Sequence, residues 1–273
     1  MVDLRFSDAE LEEVRDRITD FIADSVAEAG ADGSVLGLSG GIDSTLTAHL
    51  AVEALGKDRV RGLVLPGAVS SDDTMSDAER VADMLSIEYE VIEIAPIIEA
   101  LTEAYPDVGD DREAVGNARA RVRAVLNYLV ANHENRLVLG TGNRSEAAVG
   151  YFTKYGDGAV DCHPIGDLYK QQVRQLASHV GVPEDLVEQT PTAELWRGQT
   201  DEQELGLDYD TLDSILALHV DGPLSRAATL RALECTDEEL DRVRSLFQTS
   251  EHKRHVPPAP DLPPTSFGRS VEH

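Results

Sequence analysis

At 273 residues, 41% of them hydrophobic, the chain is long enough to bury the core of one large α/β domain. It contains no apolar run of the ~18 residues a membrane span needs. It also starts without a leader-peptide pattern, and its two cysteines, Cys162 and Cys235, lack the spacing of a zinc site or a disulfide framework; a cytoplasmic, membrane-free protein is expected. The net charge of −27, from 51 acidic and 24 basic residues along the whole length, repels nucleic-acid backbones.

The basic set contains four lysines, Lys57, Lys154, Lys170 and Lys253, against twenty arginines. An acid-rich, lysine-poor chain of this kind fits a salt-saturated cytoplasm, where screening shortens the Debye length to a few Å and self-repulsion costs little. A halophilic source is expected.

The first predicted helix spans about Asp8 to Glu28. Ser7 and Glu10 stand in capping-box spacing, Leu11, Val14, Ile18, Phe21, Ile22 and Val26 share one face, and Gly30 ends it. Ser34–Leu38 follows as a short strand, then a helix from about Ser44 to Leu55. A strand over Arg59–Leu65 and a helix over Ser76–Leu85 come next. Glu88–Ile94 is a third strand, Ala114–Ala131 a long helix and Leu137–Gly140 a fourth strand. This alternation predicts a three-layer, doubly wound parallel sheet of the α/β class in one domain, 1–273. Beyond Gly150, helices are expected near Tyr169–Val180, Tyr209–Leu218 and Asp237–Thr249. An extended tail is expected over 251–273, where Val256–Pro264 is proline-rich.

The segment Gly37-Leu38-Ser39-Gly40-Gly41-Ile42-Asp43-Ser44 leaves a strand, turns through two glycines and enters a helix. Such a turn aims backbone N–H groups and the positive end of a helix dipole at an anion. Asp43 repels phosphate directly and is useful there as a Mg2+ ligand. The lysine of a Walker loop is missing. Ser-Gly-Gly-x-Asp-Ser after a strand resembles the signature of the N-type ATP pyrophosphatases. That implies the PP-loop, adenine nucleotide α-hydrolase-like fold and cleavage of ATP between its α and β phosphates.

Further blocks are similar to the NAD synthetase family. They are Leu65–Ser71, Gly116–Arg123, Gly140–Glu146, Gly150–Asp161, Tyr169-Lys170, Pro191–Leu195, Asp201–Gly206 and His252–Arg254, in one order from about Leu11 to Pro258. The resemblance implies amidation of deamido-NAD through an adenylated carboxylate, with ATP as co-substrate and Mg2+ held by Asp43 and Glu146. It places Thr141, Lys170 and Thr192 on ATP and Arg121, Lys154, Asp161, His252 and Lys253 on deamido-NAD. It also implies a homodimer with the dinucleotide at the subunit interface. Lys170 would offset charge on the leaving pyrophosphate, and Asp157 or Asp161 would deprotonate ammonium. Asn143-Arg144-Ser145 is a local variant expected to leave these positions untouched. No room for a glutaminase domain is seen, so free ammonia, or ammonia from a partner, is the expected nitrogen source. Another synthetase of the superfamily, or a nucleotide-sensing module, are the competing readings.

Overall fold

The structure, a computed structural model, describes residues 3–67, 72–109, 111–192 and 199–260, with the side chains of 72–76 outside the description. The first helix, α1 (Asp8–Glu28), has the predicted bounds because both halves of its capping box form. Ser7 N donates to Glu10 Oε2 at 2.8 Å, and Glu10 N to Ser7 Oγ at 3.4 Å. Gly30, at φ +64°, turns the chain toward the sheet.

In chain order there follow β1 (Gly33–Gly37), α2 (Ile42–Leu55), β2 (Val60–Val64), α3 (Asp72–Leu85), β3 (Glu88–Val91), α4 (Ala95–Ala104), α5 (Arg112–Glu134) and β4 (Arg136–Val138). The four strands are parallel, in the order β3-β2-β1-β4. Neighbouring strand residues face opposite layers. Leu36 and Val64 pack with α1, α2 and α3, whereas Val35 and Leu63 pack with α4 and α5. Both faces are covered, which is why these strands lack hydrophobic alternation. The expected three-layer architecture is present.

β3 differs from expectation. It is an exposed edge, tied by Arg61 to Glu88 at 3.1 Å and to Glu90 at 3.3 Å. It stops at Val91 because α4 follows at once, capped by Ile94 and with Pro96 in its first turn, a position where the missing N–H costs nothing.

The second half contains α6 (Arg144–Val149), α7 (Lys170–His179), α8 (Glu184–Val187), α9 (Asp201–Leu205), α10 (Tyr209–Ile215), α11 (Arg226–Ala232), α12 (Asp237–Thr249) and α13 (Glu251–Arg254). α7 joins the α1–α2 layer. Ala148 and Val149 of α6 pack with Leu205, Tyr209, Leu212, Ile215, Leu240 and Val243 in a separate core. The extended tail expected from 251 is corrected at its start, where α13 forms a helical turn; residues 261–273 lie outside the description. Among the described residues, no helix is long and apolar enough to cross a membrane.

From β1 the chain steps outward to β2 and β3, then returns to place β4 on the other side of β1. That reversal opens a crevice at the carboxyl ends of β1 and β4, where open α/β sheets bind ligands.

Candidate active site

The glycine loop bridges β1 and α2. Gly40 takes φ +79°, a conformation that only glycine adopts cheaply, and Gly41 caps α2. The loop is self-braced. Ser39 N donates to Ser44 Oγ at 3.2 Å, the two hydroxyls lie 3.1 Å apart, and Ser44 Oγ donates to Gly41 O at 3.0 Å. The serines therefore shape the loop as well as offering donors to a phosphate. Asp43 stands in the first turn of α2 and faces the cleft.

Across the crevice, Lys170 is only 2% exposed, and its Nζ donates to Asp43 Oδ2 at 2.5 Å and Glu146 Oε1 at 3.1 Å. Three residues separated by up to 127 positions thus meet at one ammonium. Tyr209 completes the cage, with its ring centroid 5.2 Å from Nζ and its hydroxyl donating to the buried Asp201 at 2.8 Å. Burial works against the Lys170 charge, but Asp43 and Glu146 outweigh it and hold the ammonium well above an ordinary lysine. Burial pushes the Glu146 carboxyl up, to about 7, against the pull of Lys170.

Asn143 and Ser145 correct the expectation that their segment leaves the site untouched. Asn143 is fully buried; its Nδ2 donates to Asp43 Oδ1 at 2.8 Å while its Oδ1 accepts from Glu146 N at 3.0 Å. One side chain thus orients one acid and caps the helix bearing the other. Ser145 Oγ accepts from Lys170 N at 3.0 Å and donates to Asp213, whose other oxygen accepts from Gln171 N at 2.9 Å. Asp213, fully buried on α10, therefore ties together the first turns of α6 and α7. Burial raises its carboxyl to about 6, with Ser145 and Gln171 opposing. Asn143 followed by Glu146 has capping-box spacing and was legible; no local signal marks Asp213, 68 residues from Ser145.

The cleft around this centre has a volume of about 1880 Å³, beyond the ~300–1,000 Å³ of a single small-molecule site. Leu38, Ser39, Asp43, Thr141, Glu146, Lys170 and Thr192 line it on the expected ATP side, and Arg121, Lys154, His252 and Lys253 on the expected dinucleotide side. Arg121 donates to Lys154 O at 3.3 Å. The two candidate bases part company. Asp157 lines the cleft, accepts from Thr153 N at 2.9 Å, and has its carboxyl raised by the protein crowding it. Asp161 lies outside that lining; Tyr128 OH and Val138 N donate to it at 3.0 and 2.7 Å, so it braces α5 against β4. Of the block Leu65–Ser71, Leu65 and Pro66 line the cleft while 68–71 lie outside the described residues, as do 193–195 of the block Pro191–Leu195.

Hard oxygens on Asp43 and Glu146 suit Mg2+, which takes one or two carboxylates and leaves its other positions to water and substrate phosphates. Among the described residues, no group of three or more His, Cys, Asp or Glu forms a cage that would hold an ion without substrate. The donor set fits a metal that arrives with a nucleotide.

The sequence profile described as NAD synthase matches residues 14–257. An NH(3)-dependent NAD(+) synthetase of Halobacterium salinarum is 63% identical over 259 residues, covering 95% of this chain and 97% of the relative. The structure of an NH3-dependent NAD synthetase from Campylobacter jejuni superposes with a TM-score of 0.77 at 31% identity, covering 92% of this chain and 99% of that one. An NMN synthetase from Francisella tularensis superposes with a TM-score of 0.82 at 36% identity, covering 94% and 100%.

Proposed function

This chain belongs to the NAD synthase family, and from that premise we propose that its cleft amidates deamido-NAD with ammonia, using ATP. The observation that carries the reading is the Asp43–Lys170–Glu146 centre beside a glycine loop at the switch point of the sheet. A carboxylate is a poor electrophile. Attack of a nicotinate oxygen on the α-phosphorus of ATP forms the acyl-adenylate and releases pyrophosphate. Ammonia then adds to the acyl carbon, loses a proton, and expels AMP to leave the amide, NAD.

No side chain becomes a nucleophile. The loop N–H groups and Lys170 hold and neutralise the departing pyrophosphate, and the walls align the two substrates. Asp43 and Glu146 would hold Mg2+, which supplies Lewis-acid relief of phosphate charge. Asp157 is the base for ammonium: it faces the cleft, and its raised carboxyl moves it toward the range a base needs. Arg121 and Lys154 supply cations for the dinucleotide.

A homodimer is supported by an exposed apolar stripe on α5, where Val125 is 67% and Leu129 63% exposed, next to Arg121 and Tyr155. A cytoplasmic, halophilic setting is supported by the charge of −27 and by the Halobacterium relative.

The test is an end-point assay in high KCl with ATP, Mg2+ and ammonium, using either deamido-NAD or nicotinate mononucleotide as acceptor. Equimolar NAD, AMP and pyrophosphate from deamido-NAD, lost in Asp43→Ala, is the expected result. Preference for the mononucleotide would replace the substrate and keep the chemistry, in line with the Francisella structure. No ATP cleavage with either acceptor would refute the reading.

A further inference from the structure

The C-terminal turn α13 is stitched to the loop after α6 by cations on backbone carbonyls. Lys253 Nζ donates to Gly150 O at 2.7 Å and Phe152 O at 2.8 Å, and lies 5.5 Å from the Phe152 ring centroid. Arg254 Nη1 donates to Ala148 O at 2.6 Å and Ser250 Oγ at 2.7 Å, and its Nη2 to Phe247 O at 2.6 Å. The tie is reciprocal, for Lys154 Nζ donates to His252 O. Gly150 ends α6 at φ +70°, directly against Ser250, and a Cβ there would lie 2.2 Å from Ser250 Cβ.

The last carbonyls of a helix have no intrahelical partner and carry partial negative charge. Ala148 O is such a group and Arg254 satisfies it, while Lys253 satisfies Gly150 O, just past the end of the helix. α6 is thereby held at both ends, by Asn143 at the end carrying Glu146 and by α13 at the end that opens into the cleft-lining segment 150–154. Two of the three Lys253 donors are committed to carbonyls, so most of the group's bonding capacity goes to the protein before a substrate arrives. Two of the four lysines in a lysine-poor chain, Lys154 and Lys253, make this tie.

We propose that Lys253 and Arg254 are positioning residues: α13 is a strap that sets the Gly150–Lys154 loop for the dinucleotide, and Lys253 acts through that loop. This rests on the deamido-NAD reading and assigns Lys253 a different role from the ligand expected of it.

Hydrogen exchange in the ligand-free protein separates the two roles. Tyr151 N donates to Glu146 O at 2.9 Å, Thr153 N to Asp157 Oδ1 at 2.9 Å and Gly156 N to Thr153 O at 2.9 Å, so these amides report the loop. In Lys253→Met their exchange should rise about tenfold, the loss of a charge-assisted bond. KM for deamido-NAD should rise by about the same factor, KM for ATP should stay within about twofold, and Lys253→Arg should restore most of both. Gly150→Ala displaces Ser250 without removing a cation and should reproduce the loop exchange. A raised KM with unchanged ligand-free exchange makes Lys253 a direct ligand and overturns the proposal. Unchanged exchange in both variants, or faster exchange throughout the sheet in both, also overturns it. If the wild-type protein makes no NAD, the proposed reaction falls while the exchange result still decides the strap.

Discussion

Replacing Asn143 by Asp isolates one bond at the centre of the site. The new side chain has the same shape and can still accept from Glu146 N, now at 3.0 Å, so the cap of α6 is kept. What changes is the other atom: a donor 2.8 Å from Asp43 Oδ1 becomes an acceptor. A hydrogen bond to a charged group contributes ~1.5–3 kcal/mol, and two carboxylates this close cannot both ionise without cost. Asp43 should rotate away or share a proton, and its orientation toward Lys170 and the nucleotide is lost. A loss of ~2 kcal/mol corresponds to about a 30-fold fall in kcat/KM for ATP. Asn143→Ala is the companion, because it also removes the cap and should lose a further ~1 kcal/mol of stability. Pyrophosphate release and thermal melting, both in the same high KCl, measure the two effects. Wild-type kcat/KM in Asn143→Asp would refute the claim that this amide orients Asp43. Equal melting of both variants would refute the division between cap and orienter.

Three further outcomes follow from the same geometry. Lys170→Met leaves Asp43 and Glu146 facing each other without their ammonium, so pyrophosphate release should fall at least ~100-fold; a loss under tenfold would remove Lys170 from the chemistry. Asp213 has a folded-state pKa raised from 3.8 to about 6, so its protonated form favours the fold. Asp213 alone should therefore take ~3 kcal/mol from native stability as pH rises from about 4 to about 6; Asp213→Asn should remove that share of the slope in melting experiments and leave the share of Glu146, and an unchanged slope would show that Asp213 contributes none. Introducing Val125→Glu with Leu129→Glu on the exposed α5 stripe should yield monomers by sedimentation if that face joins two copies, whereas an unaltered mass would place any interface elsewhere.

Much of the fold was legible because its signals are local. Ser7 and Glu10 set the start of α1, glycines mark the turn after β1, and apolar runs of strand length alternate with helical patterns up to Gly140. α4 was missed because Ile92–Ile98 is nearly all apolar, and such a run carries neither period; Pro96 in the first turn decides for helix. The short helices α6, α8, α9, α11 and α13 were missed because four to seven residues, with no further helical turn beyond them, show too little of a hydrophobic stripe. α6, α9 and α11 form because caps and the second core hold them, whereas Leu186 anchors α8 in the first core.

The sequence by itself determined the reaction class and most of the residues that line the cleft, since a phosphate loop must be contiguous to present its N–H groups to one anion. Only the tertiary structure decided how the charges are arranged. Lys170 lies between Asp43 and Glu146, Asn143 and Asp213 hold that centre, Asp157 rather than Asp161 faces the cleft, and Lys253 donates to backbone carbonyls. Each of these pairings joins residues 24 to 127 positions apart or separates neighbours by the turn of a backbone. The energy of a buried charge depends on which groups surround it in space, and a linear pattern carries no record of that.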